Sequence, residues 1–318
     1  MENPLVSVIC LCYNHERFVR EAVESVLKQS YKNIQIIVAD DASTDNSVQE
    51  IKTLKGEYPS IELLLLPTNL GNCKAFNQAL KLAKGEFIID FATDDVMMPT
   101  RIERQIGFFE RLDSTVGVIY TDATYINESG EFIRNHFEYL FEKRLIINIP
   151  KGDVYRDVLT TYFIPGPTML IRKEVFAALN GYDETLSYED FDFWVRSSRI
   201  YRYAYLDEHL TSIRKLSTSM SAGWYVPGDK QLHSTYLVCR KAQQLNRDDG
   251  DREALITRVR YEFRQSVLSG NHTEARLFYD LLRELKGVGL ADRILRLFNR
   301  PGIPLAPLRK IYHRVRYD

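Results

Sequence analysis

No stretch of this chain is long and apolar enough to cross a bilayer: its longest apolar runs, such as residues 61–66, are strand-sized, against the ~20 residues a membrane helix needs. The amino terminus shows no basic flank, apolar core and small-residue cleavage site, so the protein is expected in the cytoplasm. Cysteine is sparse. Cys10, Cys12, Cys73 and Cys239 show neither metal-ligand spacing nor a disulfide framework and read as buried thiols. Excess charge is missing too: 42 Lys and Arg against 43 Asp and Glu leave a net −1, which argues against a general nucleic-acid binder. No G-x-G-x-x-G follows the first strand; the absence of this dinucleotide fingerprint argues against a hydride-transfer enzyme. What remains is an ordinary globular mix, 45% hydrophobic and 27% charged. At 318 residues the chain suits one large domain plus an appendage, since single cores stop growing at roughly 250 to 300 residues.

From residue 5 to about 120 the hydrophobic period switches between two and 3.6. Strands are expected at 6–12, 34–39, 61–66, 87–91 and 116–120, with helices between them near 18–27, 45–57, 72–84 and 100–112. Such alternation implies an α/β fold, a mostly parallel sheet sandwiched by helices, with ligands at the carboxyl ends of the strands. After residue 121 the regularity fails; Pro165-Gly-Pro167 marks a tight loop, followed by a strand at 168–171 and helices at 173–179 and 190–198. From about residue 228 the pattern is purely helical. The expected division is therefore 1–225 for the α/β domain and 226–318 for a helical region.

Chemistry-bearing residues gather at the expected strand ends. Asp94-Asp95 follow the strand at 87–91. Adjacent carboxylates repel each other and persist most readily where a divalent cation or a hydroxyl-rich ligand sits between them; the alternative is a turn whose second Asp caps the helix starting near Pro99. Tyr13-Asn14 end the first strand, either as an aromatic face for a nucleobase or as a loop-packing tyrosine with a capping asparagine. Asp40-Asp41 end the second, as a helix cap or as an acceptor for the N3 proton of a uracil-like base. Gly71 lets the backbone approach a ligand, and Lys74 sets a cation near a helix start that suits a diphosphate; a plain turn and a solvated lysine are the competing view. Caps alone do not explain such convergence at one sheet edge. Farther on, Glu189, Asp190 and Asp192 open a helix, a place where acids are favoured with or without chemistry.

In order along the chain, V-S-V-I-C-L-C-Y-N, V-A-D-D-A-S-T-D-N-S, N-L-G-N-C-K-A-F-N and F-A-T-D-D-V-M-M-P resemble the family-2 glycosyltransferases, over residues 5 to about 220. The resemblance implies the glycosyltransferase A fold, a Rossmann-like three-layer sandwich with a mostly parallel mixed sheet, and a nucleotide-diphosphate sugar donor, a UDP-sugar first among them. Within that pattern Tyr13 and Asp41 would hold the base, with Asn14 in the same nucleotide-sugar set, and Lys74 would lie near the diphosphate or sugar. Asp94 would touch the ribose, and Asp95, with Asp94 beside it, would ligate a divalent cation, Mg2+ or Mn2+. Ala92 stands where many members carry a further Asp, which leaves Asp95 as the principal ligand. Asp190 matches the family's catalytic base, Glu189 would orient acceptor or sugar hydroxyls, and Asp192 is expected to point away. Arg214, ahead of the segment Ser217-Thr-Ser-Met-Ser221, is a candidate diphosphate contact, with a plain polar loop as the alternative.

One base and one direct displacement imply inversion at the anomeric carbon. The expected activity is thus inverting, metal-dependent transfer to a saccharide or glycolipid hydroxyl, in cell-surface polysaccharide or glycolipid synthesis. A non-catalytic nucleotide-sugar-binding or scaffolding protein is a second reading, against which the intact Glu189-Asp190 pair speaks. A sugar nucleotidyltransferase is a third, but it would bring a Gly-rich, Arg-containing loop where Tyr13-Asn14-His15 stands. From Arg293 onward seven Lys or Arg face Asp318 alone, interleaved with Ile294, Leu297, Phe298, Ile311 and Tyr312. This basic tail either makes peripheral contact with an anionic membrane face or packs on its own domain or a partner chain, with Pro301, Pro304 and Pro307 breaking the segment.

Overall fold

The computed structural model describes residues 3–216 and 225–300. In chain order the strands are β1 (Val6–Cys12), β2 (Ile34–Asp40), β3 (Glu62–Leu65), β4 (Phe87–Ala92), β5 (Val96–Met97), β6 (Val116–Ile126), β7 (Phe132–Asn135), β8 (Leu170–Arg172) and β9 (Arg202–Arg214). The helices are α1 (Val19–Leu27), α2 (Ser47–Glu57), α3 (Asn72–Leu80), α4 (Arg101–Phe109), α5 (His136–Glu142), α6 (Tyr155–Thr160), α7 (Lys173–Leu179), α8 (Asp190–Ser197), α9 (Lys230–Leu245), α10 (Asp249–Leu268), α11 (His272–Glu284) and α12 (Leu290–Leu297). Contacts gather them into two compact units. The first comprises the described residues of Met1–Val154, Phe163–Glu184 and Ile200–Ser219; the second comprises Tyr155–Tyr162, Thr185–Arg199 and the described residues of Met220–Asp318.

In the first unit, side chains alternate across each strand, so β1 sends Val6, Val8, Cys10 and Cys12 to one face and Ser7 and Ile9 to the other. The first set joins Ile36, Val38, Phe87, Ile89 and Phe91 in a core covered by α1, α2 and α4. On the opposite face α3 packs over β1 and β2, and its Phe76 ring lies 5.3 Å from Phe176 of α7 and 4.4 Å from Tyr182. Strands buried on both faces read as near-continuous apolar runs, which is why this half was legible from periodicity. All four cysteines are buried free thiols, as expected.

Among the described residues the strands form one sheet in the order β3-β2-β1-β4-β8-β6-β9-β5, with β7 paired to β6 off that path. The pairs β3·β2, β2·β1 and β1·β4 are parallel. Beyond β4 the sheet is mixed: β8 runs antiparallel to both β4 and β6, β9 is parallel to β6, and β5 is antiparallel to β9. Nothing in the periodicity marks β9. Asp207, Glu208 and His209 interrupt its alternation, and its register against β6 shifts at Thr121/Asp122 and again at Asp122/Thr124.

Gly85 shows how closely β1 and β4 approach. Its N–H donates to Ser7 Oγ at 2.8 Å, and a Cβ there would stand 2.5 Å from Ser7 N, 2.7 Å from Leu5 O and 2.8 Å from Phe87 O. All three are backbone atoms that cannot swing aside. Gly85→Ala is therefore expected to cost about 3 kcal/mol through overpacking, read as a lower midpoint in denaturant unfolding. An unchanged midpoint would contradict this junction.

The second unit holds α6 and α8 to α12, so by contacts α6 and α8 group with the carboxyl-terminal helices that follow residue 225. The bonds responsible join residues far apart in sequence. Tyr155 Oη lies 3.0 Å from Ala242 O and 2.8 Å from Asn246 Oδ1, its single proton serving one of them at a time, and Arg258 Nε donates to Leu159 O at 2.8 Å. Among the described residues no helix is long and apolar enough to cross a membrane.

Candidate functional site

Register places three polar strand ends side by side in the first unit. Cys12 of β1 pairs with Asp40 of β2, and Leu11 pairs with Ala92 of β4. Tyr13-Asn14, Asp41 and Asp94-Asp95 therefore leave the same carboxyl edge of the sheet, where ligands of open α/β sheets bind. Asp41 N–H donates to Cys12 O at 2.9 Å, and Thr93 N–H donates to Leu11 O at 3.1 Å.

Local hydrogen bonds stitch these loops together. Asn14 adopts a left-handed φ of 57°, a conformation asparagine tolerates better than most residues. Its N–H donates to Ser43 Oγ at 2.8 Å, and its Oδ1 accepts Thr44 N–H at 2.8 Å. Asn14 thus ties the loop after β1 to the loop after β2. Asp40 closes the second loop by accepting Ser43 N–H at 2.9 Å and Ser43 Oγ–H at 2.6 Å. The buried Asp41 carboxylate takes Leu70 N–H at 2.7 Å and Gly71 N–H at 2.9 Å, one on each oxygen. Each oxygen keeps a second lone-pair direction. Gly71 sits at φ 83° with no atom within 4 Å of where a Cβ would stand, so glycine is needed there for its backbone and not for lack of room. Three residues on, Lys74 is exposed and has no ion pair among the described residues. Tyr13 presents its ring outward, 45% exposed.

Asp95 is the unusual group, with 3% of its surface exposed. Burial first, and the neighbouring Asp94 charge second, push its carboxyl well above the usual carboxylate range. Arg214 N–H, donating to Asp95 Oδ1 at 2.8 Å, and the charges of Lys215 and Arg101 pull the other way without prevailing. Lys215 lies at the end of β9, its Nζ 4.2 Å from the centre of the Tyr125 ring; burial lowers its pKa while Asp95 and Asp94 raise it. Lys215 is not among the site residues expected from the sequence; its signal there is the basic pair Arg214-Lys215, separated from Ser217 by Leu216 alone.

Arg214 is not an open cation. Only 4% exposed, its guanidinium donates to Asp94 O at 2.9 Å, Asn127 O at 3.2 Å, Glu128 O at 3.1 Å and Glu21 Oε2 at 2.7 Å. Four of its five N–H groups thus go to the Asp94-Asp95 loop, the β6–β7 turn and Glu21 of α1, so the residue expected beside a diphosphate also braces these segments. Pairing of Val96 and Met97 with Ser212 and Thr211 holds the same loop from its other side. The segment Ser217-Thr-Ser-Met-Ser221 lies outside the described residues.

The carboxylates Glu189 and Asp190 belong to the second unit, half-buried at the start of α8. Phe191, Phe193, Trp194 and Val195 bury the body of that helix. The buried Asp192 carboxylate is held by Lys241 Nζ at 2.5 Å and Arg196 Nη2 at 2.6 Å, so it serves packing of α8 on α9.

The profile for glycosyl transferase family 2 matches residues 7–179, more than half of the chain. The chain belongs to that family. It is 30% identical to EpsE of Bacillus subtilis over 243 residues, covering 75% of this chain and 83% of that protein. It is 33% identical to an uncharacterised glycosyltransferase of Rickettsia prowazekii over 199 residues, 62% of this chain. The chain spans about 60% of the length of the Rickettsia prowazekii and Rickettsia typhi relatives it matches. Among solved structures, S. aureus TarS in complex with UDP-GlcNAc aligns with a TM-score of 0.68 at 18% identity, over 96% of this chain and 92% of that one. The mannosyltransferase PcManGT of Pyrobaculum calidifontis, in complex with GDP-Man and Mn2+, aligns at 0.59 and 15% identity, over 99% and 89%. At such identities the likeness is one of fold.

Proposed function

We propose that this protein is an inverting glycosyltransferase that moves a sugar from a uridine diphosphate sugar to an acceptor hydroxyl of a saccharide or glycolipid, in cell-surface polymer or glycolipid assembly. The observation that carries the reading is Asp95, a buried carboxylate disfavoured by its surroundings and by Asp94, at the sheet's carboxyl edge beside the exposed Tyr13. A buried carboxyl beside a half-buried one, with that energetic conflict, suits a divalent cation. Among the described residues no group of three His, Cys, Asp or Glu side chains gathers as a metal cage. Two hard oxygen donors fit Mg2+ or Mn2+, ions that bind through one or two carboxylates and complete their shell with substrate phosphates and water.

Asp95 and Asp94 would hold the ion. When bound, it supplies neutralisation of the charge that develops on the leaving diphosphate. Tyr13 would stack on the base, the free lone pairs of Asp41 would accept its N–H, and Lys74 would face the diphosphate. Asp190 would take the proton from the attacking hydroxyl, with Glu189 orienting acceptor or sugar hydroxyls. Asp192 is unsuited to that task because Lys241 and Arg196 already hold its carboxylate. A single base and a direct displacement invert the anomeric centre.

Thermal unfolding of the full chain with Mn2+ and a panel of nucleotide sugars tests this function. Uridine diphosphate sugars are expected to stabilise it more than their adenine or guanine counterparts. Tyr13→Ala should weaken uridine nucleotide binding by ~1 to 3 kcal/mol, the worth of one stacked base, while Tyr13→Phe retains it. Absence of stabilisation by any nucleotide sugar, or equal binding by Tyr13→Ala, would contradict the reading.

A further inference from the structure

Helix α12 is turned inside out. Leu290, Ile294, Leu297 and the following Phe298 recur at i, i+4, i+7 and i+8, an apolar stripe about 100° wide of the kind that faces a core. Here the stripe faces outward, with Leu290 74%, Ile294 50%, Leu297 62% and Phe298 45% exposed. The helix is anchored by its polar side instead. Asp292 is buried and accepts Gly289 N–H at 2.9 Å and Arg260 Nε–H of α10 at 3.1 Å. Just past the helix, Asn299 Oδ1 lies 2.6 Å from His272 Nδ1, and Asn299 Nδ2 donates to His272 O at 3.1 Å. These anchors fix the rotation of α12, so the outward stripe is a consequence of bonds to α10 and α11.

Charge selects the occupant of this face. Arg293, Arg296 and Arg300 are exposed along α12 and its end, and the helix's one acid, Asp292, is spent on Arg260. A two-fold pairing of two such faces would set arginine against arginine around the stripe. An anionic bilayer accommodates both features: the aliphatic and aromatic side chains enter the headgroup boundary while the guanidinium groups meet lipid phosphates. The whole chain carries a net charge of only −1, so the attraction would be local to this helix. The sequence that follows adds Arg309, Lys310, Arg314 and Arg316 against Asp318, in residues outside those described.

We propose that α12 is a membrane-docking element that seats the protein on an anionic lipid surface through Leu290, Ile294, Leu297 and Phe298, with Arg293, Arg296 and Arg300 gripping headgroup phosphates. Cosedimentation of the full chain with vesicles of phosphatidylcholine plus phosphatidylglycerol, and with vesicles of phosphatidylcholine alone, tests it. The parent is expected to bind the anionic vesicles and to lose binding as salt rises. Ile294→Ser/Leu297→Ser should bind at least about 10-fold more weakly, since two side chains no longer enter the apolar boundary. Arg293→Gln/Arg300→Gln should also fall about 10-fold or more on anionic vesicles, from the loss of two cations near the surface. All the substituted side chains are exposed, so thermal unfolding of both variants should match the parent; if the serine variant unfolds, the arginine variant alone carries the test. Failure of the parent to bind anionic vesicles, or undiminished binding by the arginine variant, overturns the proposal. Sedimentation velocity without lipid supplies the remaining outcome: a dimer abolished by Ile294→Ser/Leu297→Ser would give this face to a second copy and overturn it too.

Discussion

Asp190→Asn is expected to slow sugar transfer by ~10² to 10⁴, the usual worth of a general base, while donor affinity stays close to that of the parent. The asymmetry follows from the proposed role. A base that accepts a proton as the acceptor attacks contributes in the transition state and little in the ground state, so kcat falls and the donor dissociation constant does not. Asparagine nearly matches aspartate in size, and the apolar body of α8, from Phe191 to Val195, remains buried either way. Steady-state transfer measured beside donor titration separates the outcomes. Turnover at the parental rate, or a loss that appears wholly as weaker donor binding, would remove Asp190 from the base position.

Asp95→Asn should abolish the response to divalent cations and leave the fold intact. The amide oxygen can still accept Arg214 N–H, the bond that Asp95 Oδ1 now takes at 2.8 Å. The substitution also removes a buried carboxyl whose charged form both burial and Asp94 disfavour. Ligand-free protein is therefore expected to unfold at or above the parental temperature, whereas transfer in saturating Mn2+ should drop by several kcal/mol of lost charge stabilisation, about 10² to 10³ or more. A clear loss of ligand-free stability would mean that Asp95 is a structural cap. Parental activity with an unchanged Mn2+ dependence would mean that the cation, if one is used, sits elsewhere.

The parallel half of the sheet was readable because β1, β2 and β4 are largely apolar on two faces and each intervening helix on one, so period alone separates them. The polar strand ends were readable for the same reason: once the strands are located, Tyr13, Asp41 and Asp95 fall at one edge. Contacts between distant segments were not. Whether Arg214 is a free cation or a strut depends on the carbonyls of Asp94, Asn127 and Glu128, none of which is near it in sequence. The sequence alone offers Asp41 as a cap or a base acceptor, and its bonds to Leu70 and Gly71 N–H add a third role, holding the loop ahead of α3. The grouping of α6 and α8 with the carboxyl-terminal helices was hidden likewise, since Asp192 meets Lys241 across 49 positions. In α12 the periodic pattern was plain, but amphipathic spacing gives the angle between faces and not which one looks inward; Arg260 and His272 determine that.

Calorimetric titration of uridine diphosphate into the parent and Asp95→Asn proteins, each in Mn2+ and in chelator, decides whether Asp95 and a cation hold the donor together. Strong binding is expected for the parent in Mn2+ alone, and weak, metal-insensitive binding for the variant. Equal affinity in Mn2+ and chelator for the parent, or parental affinity in Mn2+ for the variant, would contradict it.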